Sequence, residues 1–191
     1  MLKDLVLRNR SYRRFNHSKR ITPDTLRELV DLARLTPSGR NMQPLKYLLV
    51  NSEEACARLY PQLSWAGYLK DWDGPVETER PTAYVIMLGD TALAPNFGID
   101  PGIAAQTLLL GAVELGLGGC IFGTIKRDEI RTLFEIQAQY EVLYVIALGE
   151  SVEQVVIEDV KADGDIKYWH DAAQVHHLPK RALADMIVGE M

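Results

Sequence analysis

Apolar positions recur along the chain with both helical and strand periods, in an order that does not alternate strictly. Leu2, Leu5 and Val6 fall at helical spacing and predict a short amphipathic helix over residues 2–9. Thr22 precedes Pro23 and the stripe Leu26, Leu29, Val30, Ala33, which predicts a capped helix that Pro37 stops near Thr36. Leu45 to Val50 reads as a strand, and Ser52 caps a helix through Leu63. Residues 64–82 are irregular. Ala83 to Leu88 is a continuous apolar run of strand length, as expected for a strand buried on both faces. Asp100 and Pro101 open a long helix to about Leu117, which Gly118 and Gly119 break before a short strand, Cys120 to Phe122. A helix from Arg127 to Phe134 and a strand from Val142 to Leu148 follow.

Beyond Glu150 the pattern fades. Val155 to Val160 can be extended and Ala182 to Val188 helical, but the tail has too few apolar positions for a core of its own. It suits an arm wrapped on the main body or on a partner subunit. The order of elements is α+β with four or so strands, and a regular doubly wound fold is disfavoured. We read residues 1–191 as a single domain, with a core at 1–150 and a C-terminal extension at 151–191.

Composition narrows the function classes. At 191 residues the chain can bury a real core without disulfides or a structural metal. Acidic residues number 26 against 21 basic, which argues against a nucleic-acid binder, because that affinity comes from neutralising many phosphates. The longest apolar stretch, Ile103 to Gly123, holds Gln106, Glu114 and five glycines, so no membrane span is expected and the chain reads as cytoplasmic. Cys56 and Cys120 lack redox-motif spacing and read as reduced, packed thiols.

Four segments could carry chemistry. R-N-R-S-Y-R-R-F, Arg8 to Phe15, suits a phosphate through charge-assisted bonds, or a solvated basic loop. H-H-L-P-K-R, His176 to Arg181, could complete such a site. No carboxylate or cysteine stands at ligand spacing from its two histidines, so no metal is expected there. T-P-S-G-R-N-M-Q-P, Thr36 to Pro44, is either an ordinary turn or a donor-rich grip on a polar ligand. The glycine-dense stretch Gly116 to Gly123 ends a helix instead of joining a strand to one, so it is not a dinucleotide fingerprint. It allows close backbone approach to a flat ligand, or close helix packing.

In this order the segments resemble the nitroreductase family of flavoproteins over almost the whole chain. The resemblance is carried by R-S-x-R-x-F (Arg10, Ser11, Arg13, Phe15), the P-S-G-x-N-x-Q-P loop, D-x-G-x-A-x-Q (Asp100 to Gln106) and the closing P-K-R. It implies an α+β fold around a central, mostly antiparallel sheet flanked by helices. It also implies a homodimer with flavin mononucleotide (FMN) at the interface, and a C-terminal arm on the partner subunit. By position, Arg10, Ser11 and Arg13 would bind FMN from the N-terminal side, and Lys180 and Arg181 its phosphate. Ser38, Gly39, Asn41 and Gln43 would line it from the other subunit, with the backbone of Phe122 and Gly123 near the reactive edge.

No catalytic side chain is implied, since the hard chemistry belongs to the flavin. NADH or NADPH would be the reductant and a nitroaromatic, quinone or similar small molecule the acceptor, in ping-pong order. Arg13 is the first choice for stabilising charge on the reduced ring. Arg40, Trp65, Tyr68 and Trp72 are the candidates for substrate contact, with core packing the alternative for Trp65. Asn9, Leu45 and Thr107 depart from the common pattern, where Arg, Trp and Asn are frequent. Dehalogenating, flavin-cleaving and flavin-storing relatives remain alternatives.

Overall fold

The second helix forms where its cap and its stripe agree. In the computed structural model, which describes residues 1–191, Thr22 Oγ1 accepts the N–H of Thr25 and opens α2, Pro23–Arg34. Leu26, Leu29 and Ala33 are its buried face, whereas Val30 is only partly covered. Preceding it, α1 (Leu2–Arg8) buries nothing, and Leu2, Val6 and Leu7 are exposed. The apolar stripe expected for that helix is present but meets no core within one chain.

A four-stranded antiparallel sheet follows, in the order β1-β2-β4-β3. It is built from β1 (Leu45–Val50), β2 (Ala83–Asp90), β3 (Gly118–Phe122) and β4 (Tyr140–Gly149). Every residue of β2 is buried, as its unbroken apolar run requires of a strand covered on both faces. Helix α3 (Glu53–Leu59), capped by Ser52, gives way to a 3-10 turn at Tyr60–Gln62, so it ends short of Leu63. Helix α4 (Asp100–Glu114) and α5 (Arg127–Leu133) complete the helical set of this unit. The main core joins α2, α4, β2 and β4 through residues such as Leu29, Leu108, Val85, Met87 and Ile146. Each such side chain contributes about 1.5–3 kcal/mol by leaving water.

The glycines after α4 resolve differently from one another. Gly116 turns the chain in the left-handed region (φ 74°). Gly118 and Gly119 are not breakers before the strand but its first two residues. A side chain on Gly119 would stand 2.6 Å from the Ala147 carbonyl oxygen and 2.6 Å from Leu109, so close packing accounts for that position.

The chain divides into two compact units. The first comprises Met1–Ser64 and Pro75–Val152; the second comprises Trp65–Gly74 and Glu153–Met191. The second contains a small sheet in the order β5-β7-β6, from β5 (Val155–Asp159), β6 (Trp169–His170) and β7 (His176–Lys180). Strands β5 and β7 run parallel, and β6 and β7 antiparallel. Helix α6 covers only Leu183–Met186 and is exposed, shorter than the sequence predicts. No helix is long and apolar enough to cross a membrane. Cys56 and Cys120 are both free and buried.

Candidate functional site

The arginine-rich stretch is held along the free edge of the four-stranded sheet. Ser11 forms a parallel bridge with Gly119, and the Tyr12 N–H donates to the Gly119 carbonyl at 3.0 Å. Tyr12 Oη donates to the Arg8 carbonyl at 2.7 Å, which curls the chain after α1. The arginines then take separate roles. Arg14 makes a two-bond pair with Glu79, both contacts 2.7 Å and half-buried, so it is committed to the scaffold. Arg13 donates from Nη1 to the Ser11 carbonyl at 3.3 Å. Arg10 donates from Nη2 to the Val6 carbonyl, while its Nε is buried without a partner. A guanidinium donor left unpaired in a buried position is costly unless an anion completes it. Ser11 is exposed beside it.

The Thr36–Pro44 loop is strained and pinned. Arg40, Asn41 and Gln43 all adopt positive φ (53°, 56° and 50°), a region non-glycine residues avoid at about 1–3 kcal/mol each. Asp100, buried at the start of α4, holds this geometry. Its Oδ2 accepts from Ser38 Oγ at 2.6 Å and its Oδ1 from the Gly39 N–H at 2.9 Å. Ser38 Oγ in turn accepts the Gln43 N–H at 2.9 Å. The side chains of Arg40, Asn41 and Gln43 are thereby left exposed. Beside the loop lies a cavity of about 480 Å³, walled by Val30, Leu45, Tyr47 and Leu49, with Arg27, Asp31 and Arg34 also lining it. Tyr47 in its wall has its hydroxyl pKa pushed up to about 12, by burial and then by the Asp100 charge.

Asp100 was legible as part of a helix start, but nothing in the sequence marked it as the residue that shapes the loop. The two groups of candidate residues are anchored at different levels of α4. The loop bonds to the first residue of that helix, and Ser11 pairs with Gly119, which packs against Leu109 nine residues further along it. Nine helical residues rise about 14 Å along the axis.

The remaining sites expected from sequence are distributed more widely. Phe122 is buried at the end of β3, pairing with Val145, and Gly123 is exposed, its carbonyl accepting from Arg127. Lys180 ends β7, and Lys180 and Arg181 are exposed in the second unit. Trp65, Tyr68 and Trp72 also belong to the second unit, whereas Arg40 belongs to the first. Trp65 and Trp72 are half-buried and meet edge to face at 6.3 Å, and Tyr68 lies 4.9 Å from the ring of Tyr168.

The histidines of the last segment diverge. His177 places Nδ1 3.1 Å from Glu158 and Nε2 3.4 Å from Asp171. Both carboxylates are held below the usual range, Glu158 chiefly by the Trp169 N–H and Asp171 chiefly by the Val175 N–H. His176 meets Glu153 and His170 instead. The carboxylate partner that spacing did not offer to this segment is therefore supplied by the fold.

Comparison with known proteins follows the same lines. The sequence profile of the Nitroreductase family matches residues 6–150. A protein of Methanothermobacter thermautotrophicus, provisionally named NADH dehydrogenase/NAD(P)H nitroreductase, is 26% identical over 164 residues, 82% of this chain and 81% of its own. The iodotyrosine deiodinase of Thermotoga neapolitana is 26% identical over 168 residues, covering 78% of this chain and 88% of its own. The structure of an FMN-dependent nitroreductase from Clostridium difficile superposes with a TM-score of 0.66 at 21% identity, over 88% of this chain and 97% of its own, which establishes a shared fold. With the matched profile spanning most of the sequence and the fold shared, the chain belongs to the nitroreductase family.

Proposed function

We propose that the protein is an FMN-dependent oxidoreductase that passes reducing equivalents from NADH or NADPH to a small organic acceptor, and that it works as a homodimer. The observation that carries this reading is the separation of the two groups of candidate residues along α4, from Asp100 to the level of Leu109. One chain holds the segment of Arg10, Ser11 and Arg13 at Gly119, level with Leu109, and the loop of Ser38, Gly39, Asn41 and Gln43 at the helix start, Asp100. A second copy brings the loop of one chain to the arginines of its partner. The uncovered apolar residues of α1 support such pairing.

The residues fit the cofactor. The unpartnered Nε of Arg10, the exposed hydroxyl of Ser11 and the guanidinium of Arg13 suit an anionic, acceptor-rich ligand, with Lys180 and Arg181 the cations for its phosphate. Bound FMN supplies the reversible two-electron chemistry. The protein's part is binding and charge. Arg13 offsets negative charge that develops on the ring. Asn41 and Gln43 would hold the ring from a loop that Asp100 keeps in its strained form, and the backbone of Phe122 and Gly123 would contribute to the same site. Arg40, Trp65, Tyr68 and Trp72 contact the acceptor.

The deciding experiment is the absorbance spectrum of the purified protein, before and after NADH or NADPH is added without oxygen. Flavin bands that bleach support the oxidoreductase. Bands that persist point to a storage role or to a specialised reaction. Of these the dehalogenating reaction is favoured by the likeness to iodotyrosine deiodinase, and iodide release from an iodinated tyrosine tests it. Colourless protein that refuses added FMN would sink the proposal.

A further inference from the structure

The second unit has almost no apolar core. Of its apolar side chains only Ala66 is buried, while Val156, Ile157, Ile166 and Trp169 are exposed. Its most completely buried groups are polar. Glu153 and His176 have side chains 0% and 1% exposed, and His170 is 11% exposed. A unit of this size without an apolar core needs another source of stability, and a bound metal is one of the few available.

These three side chains converge on one point. His176 Nδ1 lies 3.1 Å from Glu153 Oε1 and 3.0 Å from His170 Nε2, and His170 Nε2 lies 3.5 Å from Glu153 Oε1. Three atoms bonded tetrahedrally to zinc at its usual 2.0–2.1 Å stand about 3.3 Å apart, so the observed triangle has the required edges. Its centre lies roughly 1.9 Å from each vertex, and an ion at that bond length sits slightly out of the plane with a fourth position open. Hydrogen bonding serves the triangle less well. A proton on His176 Nδ1 can point at His170 or at Glu153 but not at both, whereas a cation satisfies all three lone pairs together. The other nitrogen of His176 is buried without a partner, so the ring's orientation is set through Nδ1.

The backbone preorganises the triangle. His170 and His176 are directly opposed in the β6–β7 ladder, and the His176 N–H donates to the Gln154 carbonyl at 2.8 Å, which brings Glu153 alongside. The ring of Tyr168 lies 5.2 Å from that of His176, and Trp72 meets His170 edge to face at 6.1 Å. These aromatics wall the site with apolar surface. Two imidazoles and one carboxylate suit a divalent first-row transition metal, as opposed to magnesium or calcium, which prefer oxygen ligands.

We propose that Glu153, His170 and His176 bind one zinc-like divalent ion, and that this ion fastens the β5-β7-β6 unit. The inference does not depend on the flavin reading. The test uses untagged full-length protein, stripped with a chelator, desalted and titrated with Zn²⁺ by calorimetry, with cobalt absorbance as a geometric readout. One Zn²⁺ per chain is expected, with a tetrahedral cobalt spectrum and a rise in Tm on metal addition. The isosteric Glu153→Gln and His170→Ala should each weaken zinc binding about tenfold or more. His177→Ala, which removes the neighbouring histidine outside the triangle, should leave the stoichiometry unchanged. Wild-type protein that binds no stoichiometric zinc at micromolar free metal would overturn the proposal, whatever the variants do. Binding that survives Glu153→Gln and His170→Ala but is lost in His177→Ala would overturn it equally.

Discussion

Removing the carboxylate of Asp100 should release the loop that it holds. In Asp100→Ala, Ser38 Oγ and the Gly39 N–H both lose a charged acceptor, at 2.6 and 2.9 Å. Hydrogen bonds to a charged group contribute about 1.5–3 kcal/mol each, so the gross loss is about 3–6 kcal/mol. Against this, Arg40, Asn41 and Gln43 can leave their positive-φ conformations, which returns about 3 kcal/mol at the lower end of the usual strain. The net destabilisation expected is up to about 3 kcal/mol, at about 2–4 °C in Tm for each kcal/mol in a chain of this size.

The local effect should exceed the global one. Amide exchange of Gly39 should quicken about 30-fold, the equivalent of a bond worth about 2 kcal/mol. Asp100→Asn, which can keep the acceptor for Gly39, should show roughly half the loss. If the proposed cofactor role of the loop is right, FMN affinity falls with the loop's order, while the bridge between Ser11 and Gly119 stays intact. Unchanged Tm together with unchanged exchange at Gly39 in Asp100→Ala would refute the account of the loop.

Three further outcomes are expected. Gly119→Ala sets a Cβ against the Ala147 carbonyl and Leu109, and should lower stability by about 1–3 kcal/mol in urea unfolding; a neutral result would show that the strand can shift. Arg13→Ala should weaken FMN binding and slow flavin reduction together in stopped-flow, and unaltered values for both remove Arg13 from the site. Glu150 accepts from Lys19 and Asn16, with the Lys19 bond first in holding its pKa below the ordinary 4.5. Its stabilising contribution should therefore be complete above about pH 4.5 and fade as pH falls through the lowered value, so Glu150→Gln should flatten that part of the stability profile. A profile with the same acid limb in both proteins would exclude the link.

The first unit was legible in the sequence where local signals and burial agree. β1 runs from Leu45 to Val50 as expected, and β2 is the doubly covered strand its composition implies. The Thr22 cap and the Leu26–Leu29–Ala33 face appear in α2 because cap, proline and stripe fix the same register. Gly118 and Gly119 misled, since their strand conformation depends on neighbours, Tyr12 and Ala147, that no local pattern reveals. Strands β6 and β7 carried no alternating signal. β6 has two residues, and β7 contains Pro179 with two histidines. The convergence of Glu153 with His170 and His176 was invisible for the same reason. It arises from backbone pairing between segments whose side chains show no shared period. The stretch 65–74 likewise gave no sign that it belongs with the tail.

The way Arg14, Phe15 and Asn16 are fastened sets a timetable for the molecule's birth. Phe15 bridges Ser151, the Asn16 N–H donates to the Glu150 carbonyl, and the Val152 N–H donates to the Arg14 carbonyl. Asn16 and Glu150 are 134 residues apart, and a ribosome adding 5–20 residues per second needs roughly 7–27 s to make the second after the first. Over that interval the N-terminal arginines emerge with no seat, because β4, which joins β3 to the rest of the sheet, is not yet complete. A chain arrested at residue 139 should hold β1 against β2 but leave Arg10 and Arg13 freely mobile in exchange or proteolysis, whereas one released at residue 191 should not. If the proposed cofactor site is right, cofactor capture must wait until β4 has been made.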